Sequence, residues 1–99
     1  MIALALLAAA STLVCPATIR SHPLATIQLF DGDPKLLTDL EPDDRGWDLK
    51  PIRSTSSPDG FFLVCGYGTT VPRLTLRIPK EADACRLTGT ERAPRVSCR

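Results

Sequence analysis

The most strongly β-prone run in the chain is the segment 61–67, Phe-Phe-Leu-Val-Cys-Gly-Tyr. Because side chains alternate along a strand, its odd-numbered positions face one way, while Phe62 and Val64 face the other. Both faces are apolar, which is typical of a central strand that is covered on two sides. The pattern therefore predicts that this segment is the strand around which the rest of the chain is arranged.

Weaker alternating patterns predict the other strands. The clearest turns Leu74, Leu76 and Ile78 inward and ends at Pro79. Shorter alternating stretches predict further strands at 15–19, 24–30, 47–50, 85–88 and 95–98. The result is a mainly β protein of about six short strands, arranged as a small antiparallel sandwich or a curled sheet.

One segment shows helical spacing instead. Leu36, Leu37 and Leu40 recur at the interval of a helix, and Pro34 suits a first helical position, so we expect one short helical turn over 35–40. Turn-forming residues surround it. The segments 41–46 and 53–60 are rich in Pro, Asp, Ser and Gly, which predicts a loop at the first and a mobile surface loop at the second.

The first fourteen residues of this 99-residue chain carry no charged side chain and resemble the apolar part of a secretory signal. Ala8 and Ala10 satisfy the small-residue rule for cleavage, so we expect a cut after Ala10. No Lys or Arg precedes the run, which predicts that the segment 1–14 is incomplete and that the natural start lies upstream. The remaining residues, 15–99, are expected to form a single domain.

This reading places the protein in the periplasm or outside the cell. The apolar run ends well short of the about 20 residues that a membrane span needs, so no stable membrane insertion is expected. Two alternatives stay open: a buried N-terminal helix, and lipid attachment at Cys15. Val14 precedes that cysteine, where lipid attachment requires a small residue.

The four cysteines, at positions 15, 65, 85 and 98, all follow the expected cut. An even number in a short exported chain predicts two disulfides, and the absence of any Cys-x-x-Cys pair disfavours a zinc site. Three pairings are open. A hairpin folded about residues 91 and 92 would set Cys85 opposite Cys98, which favours Cys85–Cys98 together with Cys15–Cys65.

With the cysteines in view, the chain resembles a family of small exported bacterial proteins whose activity is uncharacterised. The motifs that carry the resemblance are, in chain order, Cys15-Pro16-x-Thr18-Ile19, Phe30-Asp31-Gly32, Leu40-x-Pro42, Trp47, Cys65-x-Tyr67, Cys85 and Val96-Ser97-Cys98. Some relatives in that family are encoded near toxin-export loci. The resemblance therefore implies a periplasmic immunity or inhibitor role, and it supplies no established functional residues.

Candidate catalytic chemistry is sparse. The single histidine, His22, lies between Ser21 and Pro23 in a predicted turn, and the cysteines are expected to be oxidised, which disfavours a nucleophile–histidine arrangement. A small hydrolase could use two carboxylates from the acidic stretch 31–48, but so small a domain leaves little room for a substrate cleft. We therefore expect no enzyme, no cofactor and no metal site.

The charge is nearly balanced, at +1, but it is unevenly distributed. Residues 31–48 hold seven acids against two bases, whereas residues 70–99 hold seven bases against three acids. The low net charge and the few aromatic side chains argue against nucleic acid as a partner. The acidic stretch is either an ordinary solvated surface or a patch that docks a basic protein, as in many enzyme inhibitors.

Together these features predict a non-catalytic exported binding protein, best described as an inhibitor or immunity protein against an enzyme that acts on the cell envelope. The alternative is an envelope accessory or structural protein without an enzyme target. The expected contact regions are the loops 41–48 and 53–60. The predicted partner-binding residues are Glu41, Asp43, Asp44, Asp48 and Asp59.

Overall fold

The structure is a computed structural model that describes residues 12–99, and this part of the chain is built mainly from short strands. The strands are, in chain order, β1 (Leu13–Val14), β2 (Thr18–Ile19), β3 (His22–Pro23), β4 (Thr26–Asp31), β5 (Gly46–Asp48), β6 (Phe61–Gly66), β7 (Leu74–Arg77), β8 (Ala84–Gly89) and β9 (Pro94–Cys98). Two 3-10 helices interrupt them, at Pro34–Leu36 and Lys50–Thr55.

The strands form three small antiparallel sheets. One has four strands in the order β1-β9-β8-β5, one has three in the order β4-β6-β7, and β2 and β3 pair with each other. The two larger sheets share one hydrophobic core, to which the first contributes Trp47, Cys85 and Val96 and the second Leu29 and Leu63. The predicted mainly β class, with antiparallel strands and two disulfides, is therefore confirmed.

Strand β6 is the centre of the three-stranded sheet, as its double-faced apolar pattern predicts. Leu63 lies directly between Leu29 of β4 and Leu76 of β7, and it is fully buried. The opposite face is covered as well: Val64 is buried, and Phe62 lies beneath the guanidinium of Arg77. A strand with partners on both edges and cover on both faces has no free backbone edge, so its position is strongly determined.

The two disulfides have the predicted pairing. Strands β8 and β9 form a hairpin whose register sets Cys85 directly opposite Cys98, and a disulfide joins them. The second disulfide joins Cys15, in the segment between β1 and β2, to the buried Cys65 near the end of β6. One bridge therefore closes a local hairpin, while the other fixes the N-terminal segment to the middle of the core.

A hydrogen bond reinforces the attachment of the N-terminal segment. The phenol of Tyr67, which is buried, donates to the backbone carbonyl of Pro16 over 2.7 Å. Burial raises the pKa of the Tyr67 phenol because the interior disfavours its charged form. Two of the short motifs that carry the family resemblance, those at Cys15-Pro16 and Cys65-x-Tyr67, thus contact each other through a covalent bond and a hydrogen bond.

The sheet begins before the domain boundary expected at Cys15. Strand β1 pairs with β9, with Leu13 opposite Cys98. The expected cut after Ala10 lies outside the described residues, as does most of the predicted signal segment 1–14. Between residues 12 and 99, no helix has the length and apolar character that crossing a membrane requires.

Two local expectations need correction. The helical turn is shorter than the predicted 35–40, because residues 38–40 return to pair with β4 and cannot continue a helix. The segment 53–60 is not an irregular loop throughout: the second 3-10 helix extends to Thr55, and its Pro51 stands in the first turn, where a missing backbone donor costs nothing.

Candidate partner-binding surface

The most unusual surface feature is the turn that follows β4, formed by residues 33–37 and called here the leucine tip. The Asp33 carboxylate accepts a hydrogen bond from the Lys35 backbone over 2.9 Å. The backbone N–H of Leu36 donates to the Asp33 carbonyl at 2.9 Å, and that of Leu37 to the Pro34 carbonyl at 3.0 Å. The tip is thus a closed, internally hydrogen-bonded turn.

The base of the leucine tip is anchored to the edge of the three-stranded sheet. The backbone N–H of Asp31 donates to the Thr38 carbonyl, and the N–H of Leu40 donates to the Leu29 carbonyl, both at 2.9 Å. These bonds hold the chain segments before and after the tip side by side. The tip therefore projects from a fixed base, and its conformation is set before any partner arrives.

The two leucines at this tip point into solvent. Leu36 is 71% exposed and Leu37 is 78% exposed, and they are the most exposed large apolar side chains of residues 12–99. Leu37 also has a left-handed backbone with φ of 59°, a conformation that costs a non-glycine residue about 1 kcal/mol or more. The helical spacing of these leucines predicted a turn but not its orientation, and the structure places both side chains outward.

Residues that follow the tip in the chain line a shallow depression of about 310 Å³, which gathers part of the predicted acidic surface. Glu41, Asp43 and Asp48 line it, together with Ile52 and the largely buried Trp47. The ring of Trp47 is held in place because its indole N–H donates to the backbone carbonyl of Leu40 over 2.7 Å. Three of the five predicted partner-binding residues therefore meet at one surface.

Two of these acids already have partners within the chain. One oxygen of Asp43 accepts hydrogen bonds from the backbone N–H groups of Arg45 and Gly46, at 2.8 and 3.0 Å, and so shapes the turn into β5. Asp48 forms an ion pair with Arg86 of β8 at 2.8 Å, across the β5–β8 pairing. Both side chains support the local fold, and Arg86 offsets the charge of Asp48.

The turn into β5 also depends on Gly46. Its φ of 122° is accessible to few residues other than glycine, and a Cβ there would collide with the backbone carbonyl of Cys85. Together with the Asp43 carboxylate, Gly46 fixes how the acidic segment leaves the sheet.

The remaining acids of this region are free. Asp39, Glu41 and Asp44 are exposed or lie at the surface, and none forms a hydrogen bond or ion pair through its carboxylate with another described residue. All three follow the leucine tip closely in the chain. The tip and these free carboxylates therefore form one continuous surface segment, residues 33–44.

The fifth predicted residue, Asp59, lies elsewhere. Its backbone carbonyl accepts a hydrogen bond from the Arg77 guanidinium over 2.7 Å, beside a second groove of about 240 Å³. Three bases, Arg53, Arg77 and Lys80, line that groove. Asp59 thus borders a basic surface, and the structure does not bring it together with the acids around Trp47.

The Arg53 side chain also holds the segment 50–55 against the sheet. Its guanidinium donates to the backbone carbonyl of Ala82 and pairs with the Asp83 carboxylate at 3.2 Å. A further bond, from the Ser57 N–H to the Asp31 carboxylate at 2.8 Å, ties the following turn to the end of β4. The predicted contact loop 53–60 is thus attached at both ends.

Among residues 12–99, no group of three or more metal-ligating side chains is close enough to hold an ion. His22 lies exposed in the two-residue strand β3, next to the tight turn at Arg20 and Ser21. The exposed features of this region are the two leucines of the tip and the carboxylates of Asp39, Glu41 and Asp44.

Comparison with known proteins bears directly on this surface. The family model described as Type VI secretion system Tli immunity protein matches residues 18–99. The chain belongs to this family. Searches of curated proteins and of solved structures each return no match.

Membership in the Tli immunity protein family confirms the predicted role as an inhibitor or immunity protein against a toxin effector. It also agrees with the resemblance to a small bacterial family associated with toxin export. A protein of this kind acts by binding its toxin.

Proposed function

We propose that this Tli family protein is a non-catalytic periplasmic immunity protein that binds and blocks a toxin effector attacking the cell envelope. The family match over residues 18–99 is the observation that carries the proposal. The rigid, disulfide-linked fold supports it, because a preorganised surface loses little conformational entropy on binding and so favours tight inhibition.

Export is the first part of this proposal. Two disulfides are typical of proteins in oxidising compartments, which include the bacterial periplasm. A signal within the segment 1–14 that is cut after Ala10 is compatible with the pairing of Leu13 with Cys98, because such a cut leaves β1 complete.

The acidic residues are the second part. We place the contact on the segment 41–48, with Asp59 as a separate, peripheral contact. Glu41 and Asp44 supply the free charges, while Asp43 and Asp48 shape the surface through their bonds to the backbone and to Arg86. An acidic surface of this kind attracts a basic partner and speeds its association.

The test uses the purified cognate toxin effector, with the immunity protein isolated from the periplasm. Isothermal titration calorimetry is expected to give a one-to-one complex with nanomolar or tighter affinity. Cells that export the effector to the periplasm should survive when the immunity protein is exported too. They should die when it is kept in the cytoplasm by deletion of its signal.

A titration without heat or complex formation, or survival that does not depend on export, would contradict this function. The acidic contact has its own test in Glu41→Gln and Asp44→Asn, which remove charge without disturbing a bond within the described chain. The pair should lower the association rate several-fold at low salt and flatten its salt dependence. Asp59→Asn serves as the comparison from the basic groove, with a smaller expected effect.

A further inference from the structure

We infer that the leucine tip, residues 33–37, inserts into an apolar pocket on the toxin effector, and that the pocket is bordered by basic side chains. This inference rests on the proposed function and specifies its contact. Leu36 and Leu37 would be the anchors, and the acidic residues that follow them in the chain would meet the basic border. The segment 33–44 would then form a single binding element.

Exposure is the first argument. Leu36 and Leu37 stand side by side at 71% and 78% exposure on a chain whose other leucines in the described region are buried or half-buried. Scattered apolar side chains are normal on a protein surface, but two adjacent leucines at one turn form a small apolar patch that no other part of the described chain covers. Inserting the two leucines into a partner's pocket would remove their apolar surface from water, which favours binding.

Backbone geometry is the second, independent argument. Leu37 adopts φ of 59°, a region in which glycine or asparagine would be accommodated at lower cost. The chain nevertheless carries a large apolar side chain there, directed away from the core. Hydrogen bonds from Leu36 and Leu37 to Asp33 and Pro34 hold this strained turn in one conformation. Strain at an exposed, ordered position is typical of binding and switch sites.

Charge identifies the border of the pocket. The carboxylates of Asp39, Glu41 and Asp44 follow the tip and make no bond to other described residues. Lys35 is the one base within the tip itself. A partner pocket whose rim carries Lys or Arg would therefore match this segment, whereas an acidic rim would be repelled.

The test compares Leu36→Ser, Leu37→Asn and the double variant with the unmodified protein, using the purified cognate effector in calorimetry. Each single variant should weaken binding by about tenfold and the double variant by about a hundredfold. Leu37→Asn should keep or raise the thermal unfolding midpoint, since asparagine suits the left-handed backbone. Weaker binding with equal or higher stability is a combination that a merely structural residue would not produce.

Val14→Thr is the matched control. Val14 is also apolar and 50% exposed, but it lies on β1 of the four-stranded sheet. Its substitution should change the affinity by less than threefold. If the double variant lost its fold, Leu37→Asn alone would decide the matter, because it retains the backbone of the tip.

Several results would overturn the inference. If the unmodified protein binds the effector and the tip variants bind equally well, the tip is not the anchor, while the proposed function stands. If the unmodified protein does not bind, the proposed function fails and the inference fails with it. If ultracentrifugation shows a dimer that only the tip variants dissolve, the tip contacts a second copy of this chain, and the effector pocket is excluded.

Discussion

Leucines occupy two opposite environments in this protein. Leu63 lies at the centre of β6 between two neighbouring strands and has no exposed surface, whereas Leu36 and Leu37 project from a turn with most of their surface in water. The side chain is the same, so the difference lies in the backbone that carries it. A paired strand directs alternate side chains into a shared core, while a closed turn directs them away from it.

This contrast indicates two uses of apolar surface. Core leucines stabilise the fold, and their loss should be visible in unfolding experiments. Tip leucines bury little surface in the fold, so their loss should not destabilise the protein and should act mainly on binding. The following predictions test this division in order of decreasing effect on stability.

Removal of the bridge between the N-terminal segment and β6 should have the largest effect. In Cys15→Ala/Cys65→Ala, the disulfide that closes a separation of 50 residues is lost, and the loop-entropy relation gives about 4 kcal/mol of lost stability. The paired control, Cys85→Ala/Cys98→Ala, opens a separation of 13 residues, for which the same relation gives about 3 kcal/mol. Urea unfolding of both variants measures the difference, and equal losses would argue against a dominant role for loop length.

Leu63→Ala should lower the free energy of unfolding by about 3 kcal/mol, because it opens a cavity at the fully buried centre of β6. Leu36→Ala should change that free energy by less than about 0.5 kcal/mol, because the side chain is already in water. Chemical denaturation of the two variants side by side tests the comparison directly. A loss at Leu36 close to the loss at Leu63 would mean that the tip is part of the core.

Tyr67→Phe should destabilise the protein by about 1 to 2 kcal/mol, since it leaves the Pro16 carbonyl without its 2.7 Å partner. The phenol also predicts a pH dependence. Its pKa is raised in the folded state, so the stability that it contributes is intact below its ordinary value of 10.0 and is lost as pH rises through the folded value. Thermal unfolding between pH 8 and 11 should show a steeper alkaline loss for the unmodified protein than for Tyr67→Phe.

Leu37→Asn should raise the free energy of unfolding by about 0.5 to 1 kcal/mol, because it relieves the left-handed strain at φ of 59° without exposing any buried surface. Leu36→Asn, at a neighbouring position inside the 3-10 helix, is the control and should give no gain. A loss of stability in Leu37→Asn would show that the leucine side chain supports the turn.

The smallest effect is expected at the Asp48–Arg86 ion pair. Both side chains are well exposed, so Asp48→Asn should cost about 0.5 kcal/mol or less, and less still at high salt. Asp43→Ala is the useful contrast, because it removes bonds to two backbone N–H groups and should cost about 1 kcal/mol. If the ion pair proved the stronger of the two, the turn into β5 would depend on charge and not on its capping bonds.

Much of the fold was predictable from local pattern. The double-faced apolar run predicted the central strand, and the alternation of Leu74, Leu76 and Ile78 predicted β7. The turn-rich stretch between Cys85 and Cys98 predicted the hairpin that sets them opposite each other, and elimination then gave the second disulfide. These features depend on alternation and turn chemistry, which are properties of neighbouring residues.

The surface was less predictable. The positions of the acids in the sequence do not reveal that the Asp43 carboxylate accepts hydrogen bonds from two backbone N–H groups, because those bonds depend on the turn into β5. They also do not reveal that Asp48 pairs with Arg86, because that contact depends on the pairing of β5 with β8. The sequence likewise grouped Asp59 with the other acids, but only the fold shows that its loop borders the basic groove.

By itself, the order of residues determined the strand pattern, the even set of cysteines and the uneven charge, because each is written in the spacing of neighbouring side chains. The direction of Leu36 and Leu37 was decided only in three dimensions. Their spacing predicted a helical turn over 35–40, but the chain leaves the helix at Leu37 and residues 38–40 pair with β4. Once that edge is occupied, the leucines have no core to enter, and they remain at the surface.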